Sequence, residues 1–248
     1  MNSQLRTSSL IRIAAALVFI AGAASWTFGA DAGPVASSSA VSPGLSAEEI
    51  VSRLSRNNEQ RAAALRSYES KRSYSLQYRG FPSNREAEME VVAHYDAPEN
   101  KNFDVVSDSG SKMIQTKVFS KLLESEREAA HAENRRQTAL TPENYRFTLL
   151  GSRPSRYGGC YRLGVEPRRD NKFLYRGEIC VNATDFAVET IDAEPAKNPS
   201  FWIKKTRIEQ RYQKIGQFWL PASNATVSTV RLGGTATLSI VYSGYELR

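Results

Sequence analysis

The stretch "FWIKKTRIEQRYQKIGQFWLP", residues 201–221, decides how this chain is read. It sets Trp202, Tyr212 and Trp219 among Lys204, Lys205, Arg207, Arg211 and Lys214. Aromatic and cationic side chains on one surface would form a stacking platform for single-stranded nucleic acid. Parity separates them. Even positions carry Trp202, Lys204, Thr206, Ile208, Gln210, Tyr212 and Lys214, and odd positions carry Lys205, Arg207, Glu209, Arg211 and Gln213. Successive strand residues leave opposite faces, so the bulky apolar groups mostly share one face and the basic groups concentrate on the other. The stretch reads as a hairpin turning near Gly216, with a dry inner face and a basic outer one. Pro221 lacks an amide donor, so the return strand must bend, bulge or lie at an edge. No nucleic-acid partner is expected.

The same period of two recurs on both sides of the hairpin. Tyr68, Tyr74, Leu76 and Tyr78 share one parity, and Ala87, Met89, Val91, Ala93 and Tyr95 share another, with "FPSN" (81–84) as the turn between. "NFDVVS" (102–107) makes a third, short strand. From Tyr145 onward strand-like runs follow one another, broken at "SRPSRYGG", "EPRRDNK", "ATD", "PAKNPS", "IGQ" and "GG". Short connections favour an antiparallel meander, about ten strands in all. Folding at Gly233-Gly234 would oppose Val227 to Ile240 and Thr229 to Leu238, making one face largely apolar. Two helices interrupt the pattern early. One, over 47–64, opens on a capping box of Ser46 and Glu49 and has Ile50, Val51 and Leu54 on one stripe. The other, within 111–135, carries Met113, Ile114, Val118, Leu122 and Leu123 at helical spacing. The expected fold class is mainly β (α+β), one large curved antiparallel sheet with helices on a face.

The N-terminus reads as an export signal. Arg6 and Arg12 precede the apolar run 13–24, and Ala30-Asp31-Ala32 fits a small-x-small cleavage site. That makes 1–32 a signal peptide, 33–45 an Ala/Ser/Pro/Gly-rich flexible linker and 46–248 one domain; an uncleaved N-terminal anchor is the alternative. The expected location is the periplasm. The formal net charge of +7 favours anionic surfaces without requiring nucleic acid. In an exported chain Cys160 and Cys180, each ten residues from Asp170 at the hairpin tip, argue for a cross-strand disulfide. A redox or metal pair is the rival, but no CxxC is present and zinc sites usually need four closely spaced ligands.

Catalytic motifs are scarce. His94 falls on the polar side of its strand and His131 in the charged end of a helix, and neither has a His or Cys at metal spacing. Glu86, Glu88 and Glu90 line a strand face that reads as solvated. "SGSK" (109–112) matches Ser-x-x-Lys without the companion elements of a serine acyl-enzyme. No P-loop, dinucleotide fingerprint or GxSxG occurs. No enzyme activity, metal or cofactor is expected.

The stretch "LYRGEICVNATDFAVETIDAEPAKNPSFWIKKTRIEQRYQKIGQFWLPASN" (174–224) resembles the core of bacterial outer-membrane lipoprotein-sorting proteins. The order of leader, early amphipathic helix, strands, second helix and long meander is similar to that of the LolA-like lipoprotein carriers. The likeness is fullest over 145–248. It implies a half-open β-barrel with the helices as a lid and a concave apolar face that holds acyl chains crossing the periplasm. Related regulators of the RseB type use a similar fold to sense mislocalised lipoprotein or envelope components. No functional residue of either family is matched here. The candidate cleft lining is Tyr74, Leu76, Met89, Val91, Trp202, Ile208, Tyr212, Leu238 and Ile240; a packed core face would read the same. The expected function is a non-enzymatic carrier of lipid or lipoprotein acyl chains, partnered by an inner- or outer-membrane docking protein. The alternative is an RseB-type regulator or scaffold.

Overall fold

A computed structural model describes residues 44–248 except 199 and 232. The expected signal peptide, and the linker as far as residue 43, lie outside the described residues.

Ten strands form one antiparallel sheet: β1 (Ser67–Arg79), β2 (Arg85–Asp96), β3 (Asn100–Gly110), β4 (Tyr145–Ser155), β5 (Gly158–Pro167), β6 (Tyr175–Asn182), β7 (Val188–Pro195), β8 (Ile203–Ile215), β9 (Phe218–Val230) and β10 (Thr235–Leu247). Their order across the sheet is β3-β2-β1-β10-β9-β8-β7-β6-β5-β4. Every neighbour but one is also a neighbour in sequence; the exception is β1 beside β10. Adjacent strands twist by ~20–25°, so the nine steps across this sheet accumulate about 200°, enough to curl it into a trough. The trough does not close into a barrel, because β3 and β4 end the sheet on separate edges. The half-open barrel expected from the sequence is the fold observed.

The edges carry their own protection against further pairing. β4 has a register shift between Leu149 and Gly151 and a proline at 154, and β3 flanks its exposed Val105 and Val106 with Asp104 and Asp108. Bulges, prolines and charges on an edge strand discourage chain-to-chain pairing.

Among the described residues, three helices serve this sheet. Helix α1 (Ala47–Ala64) begins with the full capping box: the Glu49 amide donates to Ser46 Oγ at 3.2 Å and the Ser46 amide to Glu49 Oε2 at 2.8 Å. Its buried residues are Ile50, Val51 and Leu54. Near its end, Arg61 donates to the carbonyls of Asp185 and Phe186 at 3.0 and 2.9 Å, fastening the helix to the β6–β7 turn. Helix α2 (112–130) contains a π-turn at Gln115–Phe119. The wider turn lets Ile114, Val118, Phe119, Leu122 and Leu123 all reach one apolar cluster. Helix α3 (Ala132–Thr138) follows after an extended residue, His131, so the single helix expected over 111–135 is in fact two. Asn144 closes α3 by donating to the Arg136 and Ala139 carbonyls at 2.9 and 2.8 Å.

Two sequence-based registers are corrected. The Cys160–Cys180 disulfide is present, with Cα atoms 5.6 Å apart. Yet Cys160 lies opposite Asn182 and Cys180 opposite Arg162, so the hairpin turns one residue later than Asp170. The shift is even, so both cysteines keep one face and can still bond. At the Gly233-Gly234 turn the error is odd. Leu238 opposes Thr226 and Ile240 opposes Asn224, where Thr229 and Val227 were expected. An odd slip reverses every side chain. Val227 is therefore 44% exposed, and the inner face of β9 is polar.

Candidate functional site: the concave face

The inner face is built from cross-strand rows. One row runs Ile208, Thr226, Leu238, Leu76, Ala87 across β8, β9, β10, β1 and β2; the next runs Gln210, Asn224, Ile240, Tyr74, Met89. Val91 continues the face opposite Arg72. The structure thus brings together Tyr74, Leu76, Met89, Val91, Ile208, Leu238 and Ile240 on one face, as the parity reading expected. Tyr212 lies opposite Pro221. Trp202 is placed differently. It precedes β8, and a register shift between Ile203 and Lys205 turns Ile203 inward in its stead. The half-buried Trp202 ring instead meets Phe201 edge-on at 5.6 Å.

The candidate lining divides between two of three apolar clusters; the third gathers Leu65, Tyr68, Tyr95 and Leu220. Tyr74, Leu76, Met89, Val91, Leu238 and Ile240 pack with Ile114, Val118, Phe119, Leu122 and Leu123 of α2. Ile208 and the partly buried Tyr212 belong to the other cluster, with Ile50, Val51 and Leu54 of α1 and with Leu163, Ile179 and Ile191. Between the clusters runs a buried polar seam on β8 and β9. Thr206 and Ser228 share a hydrogen bond of 2.9 Å, Asn224 Nδ2 donates to Gln210 Oε1 at 2.7 Å, and Thr226 Oγ1 donates to Asn224 Oδ1 at 3.1 Å. Hydrogen bonds within the seam offset the cost of burying these groups.

An ionic cluster lies beneath α2. Glu126 pairs with Arg72 of β1, with Lys101 of β3 at 3.0 Å, and accepts from the Tyr74 hydroxyl at 3.1 Å. Burial opposes ionisation of Glu126, but the two cations outweigh it and bring its pKa down to about 2. Burial, with repulsion from Arg72, brings Lys101 down to about 8 despite Glu126. Arg72 also lies over the rings of Phe103 and Tyr242, at 5.2 and 5.0 Å. Arg72 shares the parity of Tyr74 and Leu76, and a cation on an apolar parity was the visible sign of this cluster.

A pocket of about 80 Å³ opens between α1 and the β8–β9 end, walled by Leu65, Tyr175, Ile191, Tyr212, Phe218 and Leu220. Trp219 also lines it, and its indole donates to Asp185 Oδ2 at 2.9 Å, the carboxylate that Lys214 approaches to 2.7 Å. Burial raises the Asp185 pKa, but Lys214 and the indole hold it below the ordinary value. Tyr212 is the one candidate residue in this pocket. The remaining wall comes from α1, residues 139–140, β6, the start of β7 and the β8–β9 hairpin end, which periodicity could not place beside each other. Among the described residues, no group of three or more His, Cys, Asp or Glu is arranged to hold a metal ion, and no helix is long and apolar enough to cross a membrane.

Residues 138–245 match a family of unknown function, DUF5686. No curated protein matches the chain. Among solved structures, a DUF1329 family protein from Desulfovibrio piger is similar at 12% identity and a TM-score of 0.40, covering 81% of this chain and 92% of that one. A domain described as outer membrane lipoprotein-sorting, from Vibrio parahaemolyticus, is similar at 9% identity and a TM-score of 0.38, covering 78% and 91%. A LolA superfamily protein from Nitrosomonas europaea is similar at 12% identity and a TM-score of 0.33, covering 83% and 94%.

Proposed function

We propose that this protein is an exported, non-enzymatic binder of lipid or lipoprotein acyl chains that acts in the periplasm, in lipoprotein sorting. The observation that carries this reading is the unclosed trough, whose apolar inner face is roofed by helices and keeps an apolar pocket between α1 and the β8–β9 end. A barrel that does not close cannot fill its interior from its own strands alone. Helices held against it by side chains can separate from it without breaking any strand pairing. The pocket as it stands holds the volume of about three waters, so an acyl chain enters by parting α1 from the hairpin. Each methylene buried there contributes about 0.8 kcal/mol, which offsets the loss of helix contacts once several are inside. Of the candidate lining, Tyr212 meets the entering chain in this pocket with Leu65, Phe218 and Leu220, and Ile208 packs in the same cluster; Tyr74, Leu76, Met89, Val91, Leu238 and Ile240 lie under α2 and are reached when α2 parts from the sheet as well.

Native mass spectrometry of protein recovered from the periplasm is expected to show co-purifying lipid. A fluorescent fatty acid is expected to bind and be displaced by unlabelled acyl chains. Repeated preparations free of lipid that also leave the probe unbound would overturn the proposal. In that event, capture of an envelope protein would favour a regulator of the RseB type.

A further inference from the structure

One end of the sheet carries a row of aromatic tips and cations that the acyl-binding reading does not use. Three connections meet there: 80–84 ("GFPSN") between β1 and β2, 231–234 ("RLGG") between β9 and β10, and 196–202 ("AKNPSFW") leading into β8. None contains an Asp or Glu. They are joined side by side. The Tyr78 hydroxyl donates to the Phe81 carbonyl at 2.6 Å and lies 3.1 Å from the Gly233 carbonyl. The Arg231 amide donates to the Trp202 carbonyl at 2.8 Å. Gly80 and Gly234, with φ of 156° and 117°, make the junction possible, since a Cβ on Gly80 would lie 2.5 Å from the Gly234 Cα.

From this fastened row Phe81 and Phe201 project, each 72% exposed. Strands lie ~4.8 Å apart, which separates the two rings by roughly 15–20 Å. Arg231 lies over the Phe201 ring at 4.7 Å. Lys197, Lys204 and Lys117 are exposed at the same end, and Met113, 42% exposed, opens α2 beside it. Two of the neighbouring acids are already paired, Glu86 with Arg79 at 3.2 Å and Glu194 with Lys205 at 2.9 Å.

The geometry points to a docking edge for an anionic lipid bilayer. A protein interface is organised around a continuous apolar centre, and here the apolar tips stand apart with basic residues between them. A bilayer surface accepts separate aromatic rings at headgroup depth, while Lys and Arg reach the phosphates. The inference stands apart from acyl-chain binding, because this end of the strands is opposite the pocket.

The test is binding of the whole protein, in one N-terminal form throughout, to vesicles of phosphatidylcholine with or without phosphatidylglycerol. Anionic vesicles are expected to bind about tenfold or more tightly than neutral ones, and less so as salt rises. Phe81→Ser with Phe201→Ser is expected to weaken binding about tenfold, and Lys204→Glu with Arg231→Glu to abolish the anionic preference. Melting temperature and fatty-acid probe binding should be unchanged in these variants. Variants that bind vesicles like the parent would overturn the inference. Loss of a protein partner with vesicle binding intact would do the same and assign the edge to protein recognition.

Discussion

Glu126 stands between two buried cations, and this arrangement ties α2 to β1 and β3. Breaking a buried ion pair by removing one partner typically costs about 3–5 kcal/mol, because the remaining charge stays desolvated. Glu126→Gln is therefore expected to destabilise the fold by about that amount in urea unfolding at pH 7. The pH dependence has two limbs. The folded carboxyl titrates at about 2 against an ordinary 4.5, so stability from this group is present above 4.5 and lost as pH falls toward 2. The folded lysine titrates at about 8 against an ordinary 10.5. Between those values the unfolded chain binds the extra proton, so stability rises with pH there. Glu126→Gln should shrink the acid limb, leaving the share of groups such as Asp185 whose carboxyl is also held below its ordinary value; an unchanged acid limb would place its origin elsewhere. Asn224→Ala, which leaves the buried Gln210 carbonyl oxygen without its donor, is expected to cost about 1–3 kcal/mol.

Elements were legible where a side chain's neighbours in sequence are also its neighbours in space. The capping box of α1 and the alternation in β1 and β2 are of that kind. Register was not, because a two-glycine turn fits several pairings and the sequence does not say which residue turns first. On the β5–β6 hairpin the misreading was even and cost nothing; on β9–β10 it was odd and exchanged a valine for an asparagine at the floor of the trough. The exposed Val227 follows from this, and Val227→Thr should change stability by no more than about 0.5 kcal/mol. Had the expected pairing held, the same change would bury a hydroxyl beside Ile240 at a cost of about 1–3 kcal/mol. The π-turn in α2 left no sign that periodicity could catch, since its residues still recur at near-helical spacing. The Cys160–Cys180 link closes the β5–β6 hairpin with a separation of 20 residues. Its replacement by two serines is expected to cost roughly 3 kcal/mol under oxidising conditions, and to cost nothing beyond the parent's own loss when both are measured in reductant.

At the scale of the molecule, composition and strand spacing revealed a large antiparallel sheet, and parity placed most of the candidate lining on its concave side. They could not reveal that α1 and α2 each cover a different half, leaving the hydrogen-bonded seam of Gln210 and Asn224 between two apolar clusters. That division depends on where helices land, which is set by contacts far apart in the chain, such as Arg61 on the Asp185 and Phe186 carbonyls.

The pairing of β1 with β10 has a consequence in time. Along the chain β1 precedes the other strands, and its partner from Thr235 to Leu247 follows them. Until residue 235 and its followers emerge, β1 has β2 on one side and a bare row of amides and carbonyls on the other. β9 waits with one flank open in the same way. The sheet can thus assemble from both directions, but its two parts join only when β10 slides between them, the kind of long-range closure that slows folding. A chain halted after residue 234 should remain as two unjoined sheets, readily digested by protease and dependent on a holdase, whereas adding residues 235–248 as a separate peptide should restore resistance.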